Sequence, residues 1–196
     1  MSNIQGIEAL IGRPVLSVDS ANNLGEVYDL IVHPTKGELI GLCIQNSDQS
    51  LFLVEQDQIH SIGPDAVMVQ SDGALVPADQ SPLKALPLAK NNLTGIKVFT
   101  EDGKSLGEIA NIYFHLEMNL GVFVYEVRSS ILAKLLGHSL YFPASLGCAF
   151  AEDATRLVVS NDTENADRKL HAAVARLFPD PNAVITPVVS VRSHSG

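Results

Sequence analysis

The chain has no tryptophan, and only 13 lysines and arginines stand against 22 aspartates and glutamates in 196 residues. The resulting net charge of −9 argues against broad nucleic-acid binding, which needs clustered cations to neutralise phosphates. It also disfavours attraction to an anionic lipid surface. Two cysteines, Cys43 and Cys148, lie far apart without metal-ligand spacing, so both are expected as buried, reduced thiols. No stretch approaches the run of about 18 uncharged apolar residues that would span a bilayer. Met1 to Leu10 has neither a basic start nor an apolar core, so no signal peptide is expected and the predicted setting is cytoplasmic. Nucleotide-binding GxGxxG and zinc-binding HExxH patterns are missing too.

What the chain does have is a repeat. Ile11-Gly12-Arg13-Pro14-Val15 leads to Leu24-Gly25-Glu26-Val27 and then Asp29-Leu30-Ile31-Val32-His33. Thr94-Gly95-Ile96-Lys97-Val98 leads in the same way to Leu106-Gly107-Glu108-Ile109 and then Asn111-Ile112-Tyr113-Phe114-His115. A period of about 80 residues describes two small tandem domains, since solenoid repeats are shorter. Hydrophobic residues make up 46% of the chain, enough to give each a core.

Short β-prone runs separated by turn residues predict strands near residues 14–18, 25–33, 39–45, 51–54, 58–62 and 67–70. A second set is predicted near 96–100, 107–115, 121–128, 140–142, 146–150 and 156–159. The fold class is therefore all-β, two small barrels in tandem, over residues 1–76 and 93–160. Residues 77–92 hold Pro77, Pro82 and Pro87 and read as a linker, with Leu83, Leu86 and Leu88 packing on a barrel. The second unit carries an insertion at 129–137. Residues 161–178 form a short amphipathic helix, because Asn161 and Glu164 resemble a helix start and Leu170, Val174, Leu177 and Phe178 fall at helical spacing. Residues 179–196 are a tail.

The sequence Gly-x-x-Val, then Leu-Gly-Glu-Val, a hydrophobic strand, a glycine-containing turn and another hydrophobic strand resembles the PRC-barrel domain. The stretch Leu51-Phe52-Leu53-Val54 with Ile59-His60-Ser61-Ile62-Gly63-Pro64-Asp65-Ala66-Val67 looks like that family's closing strands. Leu135-Leu136-Gly137-His138-Ser139-Leu140-Tyr141-Phe142-Pro143-Ala144 resembles the same region in the second unit. The family includes the cytoplasmic part of the photosynthetic reaction centre H subunit and the C-terminal half of a small-subunit rRNA processing factor. The resemblance implies a barrel without a catalytic motif, so no enzyme and no cofactor are expected.

Single residues support little chemistry. Gly137-His138-Ser139-Leu140-Tyr141 lacks the final glycine of a nucleophile elbow. His33 and His115 end matching strands with no further ligands at short spacing. Glu26 and Glu108 also match, but each lies in its own barrel and they need not face one another. Gly25 and Gly107 read as a tight turn or bulge.

Strand alternation carries the one positive lead. With Leu30, Val32, Ile112 and Phe114 inward, Ile31 and Tyr113 point outward. With Ile40, Leu42, Ile44, Phe123, Tyr125 and Val127 inward, Leu39, Val122 and Val124 point outward. Ile31, Leu39, Tyr113, Val122 and Val124 are thus the candidate interface residues. They face either a protein partner, a second copy of the chain in a homodimer, or the other barrel and the linker. The expected function is a non-enzymatic adaptor or assembly factor docking on a protein complex, which the resemblance makes photosynthetic or membrane-associated. An RNA-processing or ribosome-assembly factor, and a sensor holding a small ligand or metal between the barrels, are the alternatives.

Overall fold

A computed structural model of the chain describes residues 4–115, 123–128, 139–151, 155–165, 167 and 172–173. Two curled seven-stranded sheets form two open half-barrels, as the all-β expectation required. The first sheet contains β2 (Pro14–Ser17), β3 (Asn23–His33), β4 (Glu38–Gln45), β5 (Leu51–Glu55), β6 (Ile59–Ile62), β7 (Val67–Val69) and β8 (Val76–Pro77), in the order β6-β7-β2-β3-β4-β5-β8. The second contains β9 (Lys97–Thr100), β10 (Ser105–His115), β11 (Phe123–Arg128), β12 (Ser139–Pro143), β13 (Gly147–Phe150) and β14 (Arg156–Val159), in the order β13-β14-β9-β10-β11-β12. Apart from β8 the two orders are the same, including one parallel pair in each, β2 with β7 and β9 with β14.

Local chemistry explains why the repeat folds alike twice. Each long strand carries a glycine with positive φ as its third residue, 136° at Gly25 and 127° at Gly107, beside a register shift in the ladder. A Cβ on Gly25 would stand 2.3 Å from the Gln45 carbonyl oxygen, so no other residue fits without backbone movement. Further along each strand a second bulge falls between Val27 and Asp29, and between Ile109 and Asn111. There a side-chain oxygen turns back to its own chain: Asp29 Oδ1 accepts from Leu30 N at 2.7 Å, and Asn111 Oδ1 from Ile112 N at 2.8 Å.

The remaining strand, β1 (Ile4–Gly6), belongs to the N-terminal lead-in yet pairs with β10 of the second sheet. Its residues Ile4, Gln5 and Gly6 lie opposite His115, Phe114 and Tyr113. The lead-in to the second unit does the reverse. Leu88 forms an antiparallel bridge with Ile31 of β3, and Val32 N donates to the Pro87 carbonyl at 3.3 Å. The two units have therefore exchanged lead-in segments, each covering part of the other's longest strand.

Side-chain packing follows the exchange. One continuous core takes Val15, Leu30, Val32 and Leu42 from the first sheet, Ile112, Phe114, Tyr125 and Leu157 from the second, and Ile7, Leu10, Ala89 and Leu93 from the two lead-ins. Tyr125 of β11 donates its hydroxyl to the Pro34 carbonyl in the β3–β4 turn at 2.9 Å, away from solvent. Arg13 fastens the N-terminal lead-in to the first unit by donating to the carbonyls of Gly63 and Ala9 and to Gln5 Oε1.

Residues 77–92 are a packed strap. Ser81 accepts from Leu83 N at 3.2 Å and, with Pro82 next, starts the short turn Pro82–Ala85. Leu83, Leu86 and Leu88 then cover Ile31, Cys43 and Leu53 on the outer face of the first sheet. That contact matches the packing expected of the linker leucines.

Three expectations need correction. Leu39 is fully buried in the shared core, pointing inward. The register slips between Ile31 and Val32, whose partners are Gly41 and Leu39, so Ile40 is an extra residue and parity reverses beyond it. Ile40, predicted inward, accordingly packs on the outer cluster under the strap. Cys43 is buried as expected, but Cys148 is exposed on β13. Residues 161–165 form a 3-10 turn and 172–173 are helical, while the rest of the predicted helix and the tail lie outside the described residues.

Asp29 anchors this arrangement. Fully buried, it accepts the backbone N–H groups of Lys90 at 2.9 Å and Asn91 at 3.0 Å, in the wide turn Ala89–Leu93. Burial pushes its carboxyl above the ordinary aspartate range, against the opposing pull of those donors. Asp29→Ala should cost roughly 3 kcal/mol in urea unfolding, because buried N–H groups lose their acceptor. A raised folded-state value means the Asp29 contribution is full below the ordinary aspartate value of about 3.9 and declines as pH rises through the raised value. The stability advantage of the natural protein over Asp29→Asn should be largest at acid pH and shrink towards neutrality.

Candidate interaction surfaces

Of the five interface candidates, Ile31 lies under the strap and Leu39 in the shared core. Tyr113 and Val124 lie together on the outer face of the second sheet, opposite each other in the β10–β11 ladder. Val122 falls outside the described residues. Ile4 from the exchanged strand and Ala173 pack over this outer face, so Val124 is buried and Tyr113 half-buried.

Beside them is a polar network that the sequence did not announce. Glu126, on β11, is only 4% exposed. It accepts from the Tyr113 hydroxyl at 2.9 Å, the Ser139 hydroxyl at 2.7 Å, and Arg128 Nε at 3.1 Å, with Arg128 Nη2 at 3.0 Å. Burial, and next the Glu126 charge, hold the Tyr113 phenol well above its ordinary value, and the same two causes raise Tyr141. Tyr113 and Tyr141 stack in a tilted pair with ring centroids 6.3 Å apart. Ser139 is a hydrogen-bond donor holding a carboxylate in place. The alternation of β11 could have flagged Glu126, since its neighbours Tyr125 and Val127 face the core.

The first sheet presents a different surface. Two adjoining hollows, of about 540 and 330 Å³, share Glu26 and Gln45. The larger is lined by amide side chains including Asn23, Asn46 and Gln49. The smaller brings Tyr28 and Ile11 against Lys90 and Asn91 of the second unit's lead-in, so the exchange builds one wall. Tyr28 is the residue skipped at the Val27/Asp29 bulge and is 36% exposed. Glu26 faces this groove, whereas Glu108 is exposed on the second sheet. His33 Nδ1 meets Thr35 Oγ1 at 3.4 Å, and the His115 side chain is not among those described. Burial, and then Asp29, push the Cys43 thiol up to about 12, which keeps it unreactive.

A curled half-barrel sheet with a long, glycine-bulged strand and one internal parallel pair belongs to the class of small β-barrel folds. The family model of the PRC-barrel domain matches residues 5–76, and the first unit is a PRC-barrel domain. No curated protein is similar enough in sequence to count as a match. PRC-barrel domains are interaction and assembly modules. Among the described residues no helix is long and apolar enough to cross a membrane.

Removing the Tyr113 hydroxyl deprives Glu126 of one of its donors. Tyr113→Phe should lower stability by about 1–2 kcal/mol in denaturant titration. A change below about 0.5 kcal/mol would show the network to be surface ornament.

Proposed function

We propose that the protein is a non-enzymatic adaptor or assembly factor, a module that docks on a protein complex. The observation that carries this reading is the groove on the first sheet, whose wall is completed by the second unit's lead-in at Lys90 and Asn91. A recognition surface built by both units exists only when they are locked together, and a rigid sheet presents it with little reorganisation on binding. Exposed tyrosine beside adaptable amides is the composition of protein-binding surfaces. The PRC-barrel character of the first unit supports the same reading. The family likeness makes a photosynthetic or membrane-associated complex, met from the cytoplasm, the first place to look.

Affinity capture of the tagged full chain from its own cells tests this. Reproducible recovery of one protein complex, reduced for Asp29→Ala, is the expected result. Recovery of rRNA or ribosomal proteins would replace the adaptor with an RNA-processing factor. A co-purifying small molecule without any protein would replace it with a ligand sensor.

A further inference from the structure

We infer that the groove along β3 receives an extended, arginine- or lysine-bearing segment of the partner protein, its cation seated on Glu26 beside Tyr28. The inference rests on the interaction-module reading above and names the chemistry of what docks.

Glu26 and Tyr28 flank the buried Val27, and both are exposed and line the smaller hollow. Glu26 also lines the larger one, so it stands at the centre of the groove. Its main chain is paired in the β3 ladder, but among the described residues its carboxylate has neither a hydrogen bond nor an ion pair. Lys90, which lines the same hollow, is already engaged: its Nζ sits 3.4 Å from Glu8 Oε2, in a pair that joins the two lead-ins. The groove therefore carries uncompensated negative charge within a chain of net charge −9, and the complementary ligand is cationic. Tyr28 supplies an aromatic face, which favours a guanidinium because its plane stacks as well as attracts.

The rest of the groove suits a peptide backbone better than a second charge. Asn23 and Asn46 have their Oδ1 atoms committed, Asn23 to Gly25 N and Asn46 to Asp48 N and Ser50 N. That leaves their Nδ2 groups as donors, while Gln45 and Gln49 offer both donors and acceptors. Donors and acceptors of this kind satisfy an extended main chain regardless of its sequence. Specificity then falls on the one cation that reaches Glu26.

The test uses the full chain and a fluorescein-labelled Gly-Ser-Arg-Gly-Ser-Arg-Gly peptide, with versions carrying Gln or Glu in place of Arg. The arginine peptide should bind saturably and more weakly as salt is added, and the Gln and Glu versions should not bind. Glu26→Gln and Tyr28→Ala should each weaken binding about tenfold or more, with thermal midpoints unchanged. Glu108→Gln, at the matching place on the second unit, should bind as the natural protein does. Equal binding of the Gln peptide, no binding of the arginine peptide, insensitivity to either groove substitution, or an equal loss in Glu108→Gln would each overturn the inference. Capture from cells separates this from its parent reading. A complex recovered equally by the natural protein and by Glu26→Gln leaves an interaction module but removes this groove as its docking site. No reproducible complex with the natural protein removes the module itself.

Discussion

Each unit leaves part of its longest strand without a neighbour on one side, and the other unit's lead-in supplies it. An uncovered strand edge exposes main-chain donors and acceptors that seek pairing, and a half-covered sheet exposes apolar side chains. Here β1 runs along β10 near Tyr113 while Leu88 meets β3 at Ile31. Both problems are answered by the same two segments. Asp29 then fixes the second lead-in through Lys90 and Asn91, and Asn111 holds the corresponding bulge against Gly6, whose Cβ would stand 3.4 Å from Asn111 Nδ2. Asp29 reaches across to the other segment's main chain, and the strap that continues from it covers Ile31 and Leu53.

This constraint decides where recognition can occur. The outer face of the second sheet, rich in aromatic side chains, is partly covered by Ile4 and Ala173 and organised around buried Glu126. Its tyrosines are held by neighbours within the chain. On the first sheet the strap stops short of the start of β3, and the bulge turns Tyr28 out beside Glu26. The unit with fewer aromatics therefore offers the open groove. The second unit contributes by completing its wall.

Much of the architecture could be read from residues alone. The paired Leu-Gly-Glu motifs mark bulged strand starts because a Cβ on Gly25 has no room, and alternation located the other strands. Parity failed at Leu39 because a single extra residue, Ile40, resets every side chain beyond it. Gly41 was the available signal: its Cβ would stand 2.2 Å from the Val54 carbonyl oxygen, a closeness that a glycine inside a strand announces. The exchange left no comparable trace. Ile4-Gln5-Gly6 is too short for a periodic pattern, and its pairing with β10 depends on contacts more than 100 residues apart in sequence. Asp29 and Asn111 occupy equivalent places in the repeat, yet only the fold shows what the Asp29 carboxylate accepts.

The exchanged lead-ins make the two units one cooperative body. Native-state hydrogen exchange of the full chain, followed through increasing denaturant, tests it directly. Core amides of β3 and β4 and those of β10 and β11 should converge on one shared opening free energy. Separate plateaus, with the second sheet opening while the first stays protected, would contradict it.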